Sequence, residues 1–381
     1  MYQKHCPGCF ENKQGLPRCP ACGYDESLPR PAVFLPYGTI LGGSFRIGRV
    51  LGAPGGYGIT YLAWDVHLQQ RVAIKEYLPR DLAARAAASA DIQPTGPPQR
   101  AEFEQGLNLF LSEARLLARF EHPNVVRVRT FFRAHGTAYL VMDYYAGVSL
   151  GDYLHETPRL PAETAISLLD PVLDGLEYVH QRGVLHRDVK PRNVYLAQGG
   201  RTILLDFGAA RQLTGGEAGA VMLSEGFAPL EQYQKNAEQG PWTDVYGAAA
   251  TLYRMIAGSA PPPPLDRLGR DTLDLSPFPP ALAAVMHKAL AVQGPARYPG
   301  IAAFRADLWN ALAQAGVAPA PMPAVRVPAT IAADAPTVTV EPVTAAPSAV
   351  APPRRVLMSW PQVLVLSGAV LLAAALLAFA R

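Results

Sequence analysis

At 381 residues, 49% of them apolar, the chain is long enough to bury a sizeable core and to carry two or three units. Its 34 Lys and Arg nearly balance 31 Asp and Glu, and the formal charge of +3 is scattered, so nothing marks a nucleic-acid footprint. All four cysteines fall in the first 22 residues and no apolar run opens the chain; this argues against a secreted, disulfide-stapled protein and sets the expectation of a reducing, intracellular setting without a leader.

In residues 1–25, Cys6-Pro7-Gly8-Cys9 and Cys19-Pro20-Ala21-Cys22 repeat a Cys-x-x-Cys knuckle with nine residues between them. Four thiolates at this spacing suit one tetrahedral Zn²⁺, and so short a segment has no core of its own to fold around. Two disulfides or a redox pair form the alternative. A small zinc ribbon is therefore expected, with a structural or protein-contact role, since Lys4, Lys13, Arg18 and Tyr24 offer little basic-aromatic surface for nucleic acid. Residues 26–37, with prolines at 29, 31 and 36, read as an extended connector.

From residue 38 to 312 the composition is globular, with β-like runs such as Val72–Ile74 and Ala138–Met142 early and helical patterns later. Leu107, Phe110, Leu111, Ala114, Leu117 and Ala118 recur at helical spacing, as do Leu169, Val172, Leu173, Leu176 and Val179. Strands first and helices afterwards predict an α+β fold rather than a βαβ repeat. Between two strand-like runs the chain is dense in glycine, with Gly52, Gly55, Gly56 and Gly58, so its backbone can approach phosphates closely. Val72-Ala73-Ile74-Lys75 follows and ends a β run on an ammonium group. Residues 78–107 form an insertion, Ala-rich from Leu82 to Ala90 and broken by Pro and Gly at 94–98, which reads either as a partner-docking element or as a passive flap. Glu113 lies beside the first apolar stripe, placed to hold a buried lysine. His186-Arg187-Asp188-Val189-Lys190-Pro191-Arg192-Asn193 and Asp206-Phe207-Gly208 complete the set. Phosphoryl transfer requires phosphate positioning, metal ligands and a carboxylate to orient the attacking hydroxyl; Lys75, then Asn193 with Asp206, then Asp188 match those needs in order.

In this order and spacing the motifs resemble those of the bacterial members of the eukaryotic-type (Hanks-type) serine/threonine protein kinases, over roughly residues 45–312. The resemblance implies a bilobal fold, with an antiparallel β-sheet lobe to about residue 146 and a helical lobe from 147, using ATP with Mg²⁺ or Mn²⁺ on Ser and Thr of protein substrates. It implies that Lys75 contacts the α and β phosphates and pairs with Glu113. The adenine hinge would run from Met142, the gatekeeper, to Tyr145, and Asn193 and Asp206 would hold the metal. Asp188 would take the hydroxyl proton, Asp244 would brace the catalytic loop, and Glu231 would pair with Arg297. Lys190 with Ser224 follows the serine/threonine pattern. Pro54 makes the glycine loop one residue longer than usual, and Pro229-Leu230-Glu231 stands where Ala-Pro-Glu is usual. Thr214 is the sole hydroxyl side chain between Gly208 and Ser224, which makes it the expected activating autophosphorylation site, reached in trans within a homodimer.

Residues 313–355 are rich in Ala, Pro, Val and Thr, without a period that could build a core, and read as a linker. Val363–Ala380 holds no charge over 18 residues, with Trp360 at one end and Arg354 and Arg355 before it. A transmembrane helix over 356–380 is expected, the enzyme lying on the cytoplasmic face; a helix packed on its own domain or on a partner is the alternative. Against an active enzyme stands the reading of a pseudokinase scaffold, which binds partners through the same fold and the ribbon without transferring phosphate.

Overall fold

The structure is a computed structural model and describes residues 4–52, 58–86, 89–207, 224–316, 318 and 320. Gly55, Gly56, Thr214, most of the expected linker and the expected transmembrane segment 356–380 lie outside the described residues. Among the described residues no helix is long and apolar enough to cross a membrane.

The first lobe is built on strands β1 (Ile40–Leu41), β2 (Phe45–Val50), β3 (Gly58–Asp65), β4 (Gln70–Tyr77), β7 (Val128–Ala134) and β8 (Thr137–Asp143). They form one antiparallel sheet in the order β1-β2-β3-β4-β8-β7. β4 is central, and its Val72, Ala73 and Ile74 are buried, so a run that alternates poorly in sequence still makes a strand covered on both faces. The register places Lys75 opposite Thr60 on β3 and Leu140 on β8. Gly58 opens β3 where any Cβ would lie 2.3 Å from the Glu76 carbonyl oxygen, so only glycine permits that approach.

The insertion is structured. β5 (Ala83–Arg85) and β6 (Ile92–Pro94) pair as a hairpin, and helix α1 (Pro97–Leu117) starts ten residues before the first apolar residue of the predicted stripe, Leu107. Pro97 and Pro98 do not break the chain; they occupy the first turn of α1, where a missing N–H costs nothing. Phe103, Leu107, Phe110, Leu111, Ala114 and Leu117 bury one face of the helix. The reading of residues 78–107 as a passive flap is thus corrected. Arg85 donates to Glu76 at 2.5 Å and to the carbonyls of Val33 and Ala90 at 2.9 and 2.6 Å, while Tyr61 and Tyr139 donate to the same fully buried carboxylate, each at 2.9 Å. Burial pushes both tyrosine hydroxyls well above their ordinary range, and the adjacent carboxylate adds to the shift, so they remain donors.

The second lobe contains β9 (Gly147–Ser149), α2 (Leu150–Glu156), α3 (Ala162–His180), β10 (Val194–Ala197), β11 (Arg201–Leu204), α4 (Pro241–Ala257), α5 (Pro280–Ala289) and α6 (Ile301–Gln314). From Val245 to Leu252 every residue of α4 is fully buried or nearly so, which makes this helix the axis on which α3, α5 and α6 pack. α3 continues through Pro171 because Leu168, Leu169, Val172 and Leu173 around it are buried against the core.

Arg85→Ala would leave Glu76 charged and buried without its cation. It should lower stability by about 3 kcal/mol, read as the urea midpoint of the first unfolding transition; a loss below about 0.5 kcal/mol would show that the pair does not hold the hairpin.

Candidate active site and cysteine cluster

The loop that connects α3 to β10 carries most of the chemistry, and its shape is set from beneath. Asp244, in the first turn of α4 and 1% exposed, accepts from the backbone N–H of His186 at 2.8 Å, from that of Arg187 at 2.7 Å and from His180 Nε2 at 2.7 Å. Burial pushes its carboxyl upward, but the His180 hydrogen bond and charge, with the His186 N–H, outweigh that and hold it below the usual carboxylate range. Arg187 has φ +65° and Asp206 φ +56°, left-handed conformations that non-glycine residues rarely adopt and that a folded site must hold in place. Gln232 adds a hydrogen bond to the Arg187 carbonyl at 2.7 Å. Beside it, Glu231 forms a two-point pair with Arg297 at 2.7 and 3.1 Å, as the resemblance implied.

From this base the functional side chains converge. Lys190 Nζ lies 2.8 Å from Asp188 Oδ1 and donates to Ser224 Oγ at 2.9 Å. Asn193 Nδ2 donates to Asp188 Oδ2 at 2.9 Å and to its carbonyl at 2.7 Å. Asp188 therefore has one oxygen fixed by an ammonium and the other by an amide, which orients the carboxylate. His186 packs on Phe207 with ring centroids 4.6 Å apart, and Phe207 packs on Phe120 at 6.0 Å, a buried aromatic column behind the loop. Phe120, two residues before His122-Pro123-Asn124, joins this column with no local motif to mark it.

Lys75 reaches across and forms an ion pair with Asp206. Glu113, which the resemblance pairs with the same lysine, sits half-buried on α1 beside Ala114 and has interactions of its own. Met142 stands opposite Ala73 and packs with Tyr145 against Val126, Ala197 and Ile203, so the expected hinge abuts β10 and β11. Gly52 follows β2 and Gly58 begins β3, bracketing the expected phosphate loop. The oxygen-bearing pair Asn193 and Asp206 is a hard donor set that fits Mg²⁺ or Mn²⁺.

The four cysteines meet in a second cluster, their sulfurs all within 4.8 Å of one another. Cys6 and Cys22 sulfurs are 3.6 Å apart, and Cys9 and Cys19 sulfurs 3.7 Å. A tetrahedral ion at about 2.3 Å from each sulfur sets the edge near ~3.8 Å, whereas a disulfide needs about 2.0 Å. Burial pushes the Cys6 thiol up and the Cys9 thiol up to about 12; on Cys19 hydrogen bonds from the Cys22 and Ala21 N–H groups overcome burial and bring it down. Four soft donors in this geometry fit a metal ion such as Zn²⁺, whose charge would supply what ionises them.

The chain matches the model of the protein kinase domain over residues 45–272 and belongs to that family. Among its relatives, the serine/threonine-protein kinase pkn2 of Myxococcus xanthus is 36% identical over 235 residues, 59% of this chain and 26% of that protein. The serine/threonine-protein kinase PknB of Mycobacterium leprae is 29% identical over 69% of this chain and 42% of its own length. The solved structure described as "PpkA-294 apo form" shares 36% identity with a TM-score of 0.65, over 72% of this chain and 99% of that one. The chain spans well under half the length of these two curated relatives.

Asp244→Asn keeps the shape but turns an amide towards N–H donors, so it should cost about 2 kcal/mol at neutral pH. Because the folded carboxyl titrates below its unfolded value of about 3.9, the gap between wild type and variant is full above that pH and shrinks as pH falls through the folded value. Denaturation series at several pH values check this; a gap that grows on acidification would contradict the assigned hydrogen bonds.

Proposed function

We propose that the chain is an active ATP-dependent serine/threonine protein kinase. The observation that carries this reading is Lys190 bridging the Asp188 carboxylate and the Ser224 hydroxyl, which ties the proton-accepting group to the stretch where a protein substrate would lie. Asp188 orients the incoming Ser or Thr hydroxyl and accepts its proton; Lys190 offsets negative charge at the transferring group; Lys75 holds phosphate oxygens. Asn193 and Asp206 hold Mg²⁺ or Mn²⁺, which supplies charge neutralisation at the phosphates when bound. In that arrangement Lys75 would turn from Asp206 to the phosphates with Glu113 as its partner, the glycine-rich stretch would cover the nucleotide, and Met142–Tyr145 would meet adenine. A scaffold without activity has no use for this convergence of Lys75, Asp188, Asn193 and Asp206.

Further parts of the reading rest on the sequence. Residues 1–25 form a zinc ribbon, 26–37 a connector, 38–312 the kinase domain, 313–355 a linker and 356–380 a membrane helix that holds the domain at the cytoplasmic face. Arg187 has a buried Nε with no hydrogen-bond partner among the described residues, and this supports a phosphate docking there from the following segment. Thr214 is the group that would carry it, by trans-autophosphorylation within a homodimer.

The purified chain with Mg²⁺ and labelled ATP should phosphorylate itself or a generic protein on Ser or Thr. Asp188→Ala should lower transfer by about a thousandfold with an unchanged circular dichroism spectrum; equal labelling of both would sink the assignment. Thr214→Ala should slow transfer to a protein substrate by at least about tenfold, and full activity in that variant would remove Thr214 as the control site.

A further inference from the structure

The cysteine cluster rests on β2, β3 and β4, and three consecutive backbone carbonyls of the cluster anchor the contact. Pro7, Gly8 and Cys9 follow Cys6, the first ligand of the cluster, and all three of their carbonyls are engaged. Pro7 O accepts from the Arg49 N–H at 2.9 Å, Gly8 O from Arg49 Nε at 3.1 Å and Cys9 O from Arg71 Nε at 2.9 Å. Arg71 also pairs with Glu11 at 2.8 Å, and Phe10 packs on Trp64 of β3 with centroids 5.7 Å apart.

The partner strand is built to receive this knuckle. The β2–β3 ladder runs in register to Ile47–Ala63, slips, and resumes at Val50–Tyr61. At the slip Arg49 turns its N–H out of the ladder, and the Pro7 carbonyl satisfies it. Gly48 lies in the same slip, and a Cβ there would fall 2.4 Å from Pro7 O and 2.9 Å from the Phe10 ring, so the seat exists only for glycine. Two residues after Arg49, Leu51 donates to Thr60 at 2.7 Å, and the glycine-rich stretch begins.

We infer that the first cysteine knuckle is a metal-locked brace on β2, β3 and β4, so that loading of the four thiolates sets how tightly the lobe built on these strands holds nucleotide. A bound ion fixes Cys6 and Cys9, which fixes the carbonyls between them; release of the ion frees the bulge in β2 and the strands that carry Arg49 and Arg71. The identity of the nucleotide rests on the kinase reading above, and the brace itself does not. Gly48, Arg49 and Arg71 are positioning residues, the first two acting through β2 and Arg71 through β4, the strand that carries Lys75.

The test uses the full chain in zinc-loaded form, the same chain after chelation, and a zinc-loaded Gly48→Val variant that keeps all four cysteines. Metal per chain, hydrogen exchange over residues 45–64 and affinity for Mg-ADP are measured on each. The brace predicts one zinc per wild-type chain, faster exchange over 45–64 after chelation, and a Mg-ADP affinity about tenfold weaker, equal to about 1.4 kcal/mol. Gly48→Val should retain its zinc yet show the same two losses, and in phosphoryl transfer raise KM for ATP more than it lowers kcat. A wild type without zinc, or unchanged exchange and affinity in both the chelated chain and the variant, would overturn the brace. Faster exchange with unaltered Mg-ADP affinity would overturn its link to nucleotide. A zinc-loaded wild type that binds Mg-ADP but transfers no phosphate would sink the kinase reading and leave the brace standing.

Discussion

The carboxylate of Asp244 accepts three hydrogen bonds where water does not reach, and the catalytic loop takes its shape from that arrangement. A loop that must hold Arg187 at a positive φ will not keep that conformation unaided. α4 provides the rigid post, because a helix buried on all sides cannot shift without opening the lobe. Asp188, Lys190 and Asn193 then inherit their positions from the backbone that Asp244 fixes, and their mutual hydrogen bonds refine them.

The other half of the site hangs on β4. Lys75 and Glu76 are adjacent and point to opposite sides of the strand. Lys75 enters the cleft towards Asp206, while Glu76 turns inward to Arg85, Tyr61 and Tyr139. A buried carboxylate is costly unless fully partnered, and here three donors from β3, β5 and β8 supply the compensation. Connector and hairpin join through the same guanidinium, since Arg85 also binds the Val33 carbonyl. The first lobe is thus held together around the residue next to Lys75, and the cysteine knuckle bonds to β2 and β4.

Much of this was legible because the chemistry is written in short contiguous motifs. Asp188, Lys190 and Asn193 lie within one loop, so their convergence follows from sequence spacing, and the Glu231–Arg297 pair followed from the family pattern. What escaped depends on nonlocal partners. Glu76 looks like a solvated strand residue until Arg85 is placed beside it. The Ala-rich hairpin has weak strand propensity and is held by partners distant in sequence: Arg85 on Glu76 and Val33, the Ile92 N–H on the His135 carbonyl at 2.8 Å, and the buried Ala83 and Ile92 side chains. Pro97 and Pro98 suggested a break, yet they fit the first turn of a helix, where the rule against proline does not apply. Pro171 misled nothing, because the stripe from Leu169 to Val179 spans it at helical spacing and burial on both sides carries α3 through. The ion pair of Lys75 with Asp206 joins residues 131 positions apart, which sequence spacing alone does not bring together. Gly48 and Arg49 read as ordinary strand until the slip in β2 shows where their backbone goes.

The central claim is that one cleft gathers an ammonium, metal-holding oxygens and a proton-accepting carboxylate around the end of a nucleotide. A crystal structure with Mg²⁺ and a non-hydrolysable ATP analogue tests it most directly. The account predicts Lys75 Nζ on phosphate oxygens, Asn193 and Asp206 on the metal, and Asp188 facing the terminal phosphate. A nucleotide bound elsewhere, or a bound state in which Lys75 and Asp206 stay paired with no phosphate between them, would contradict it.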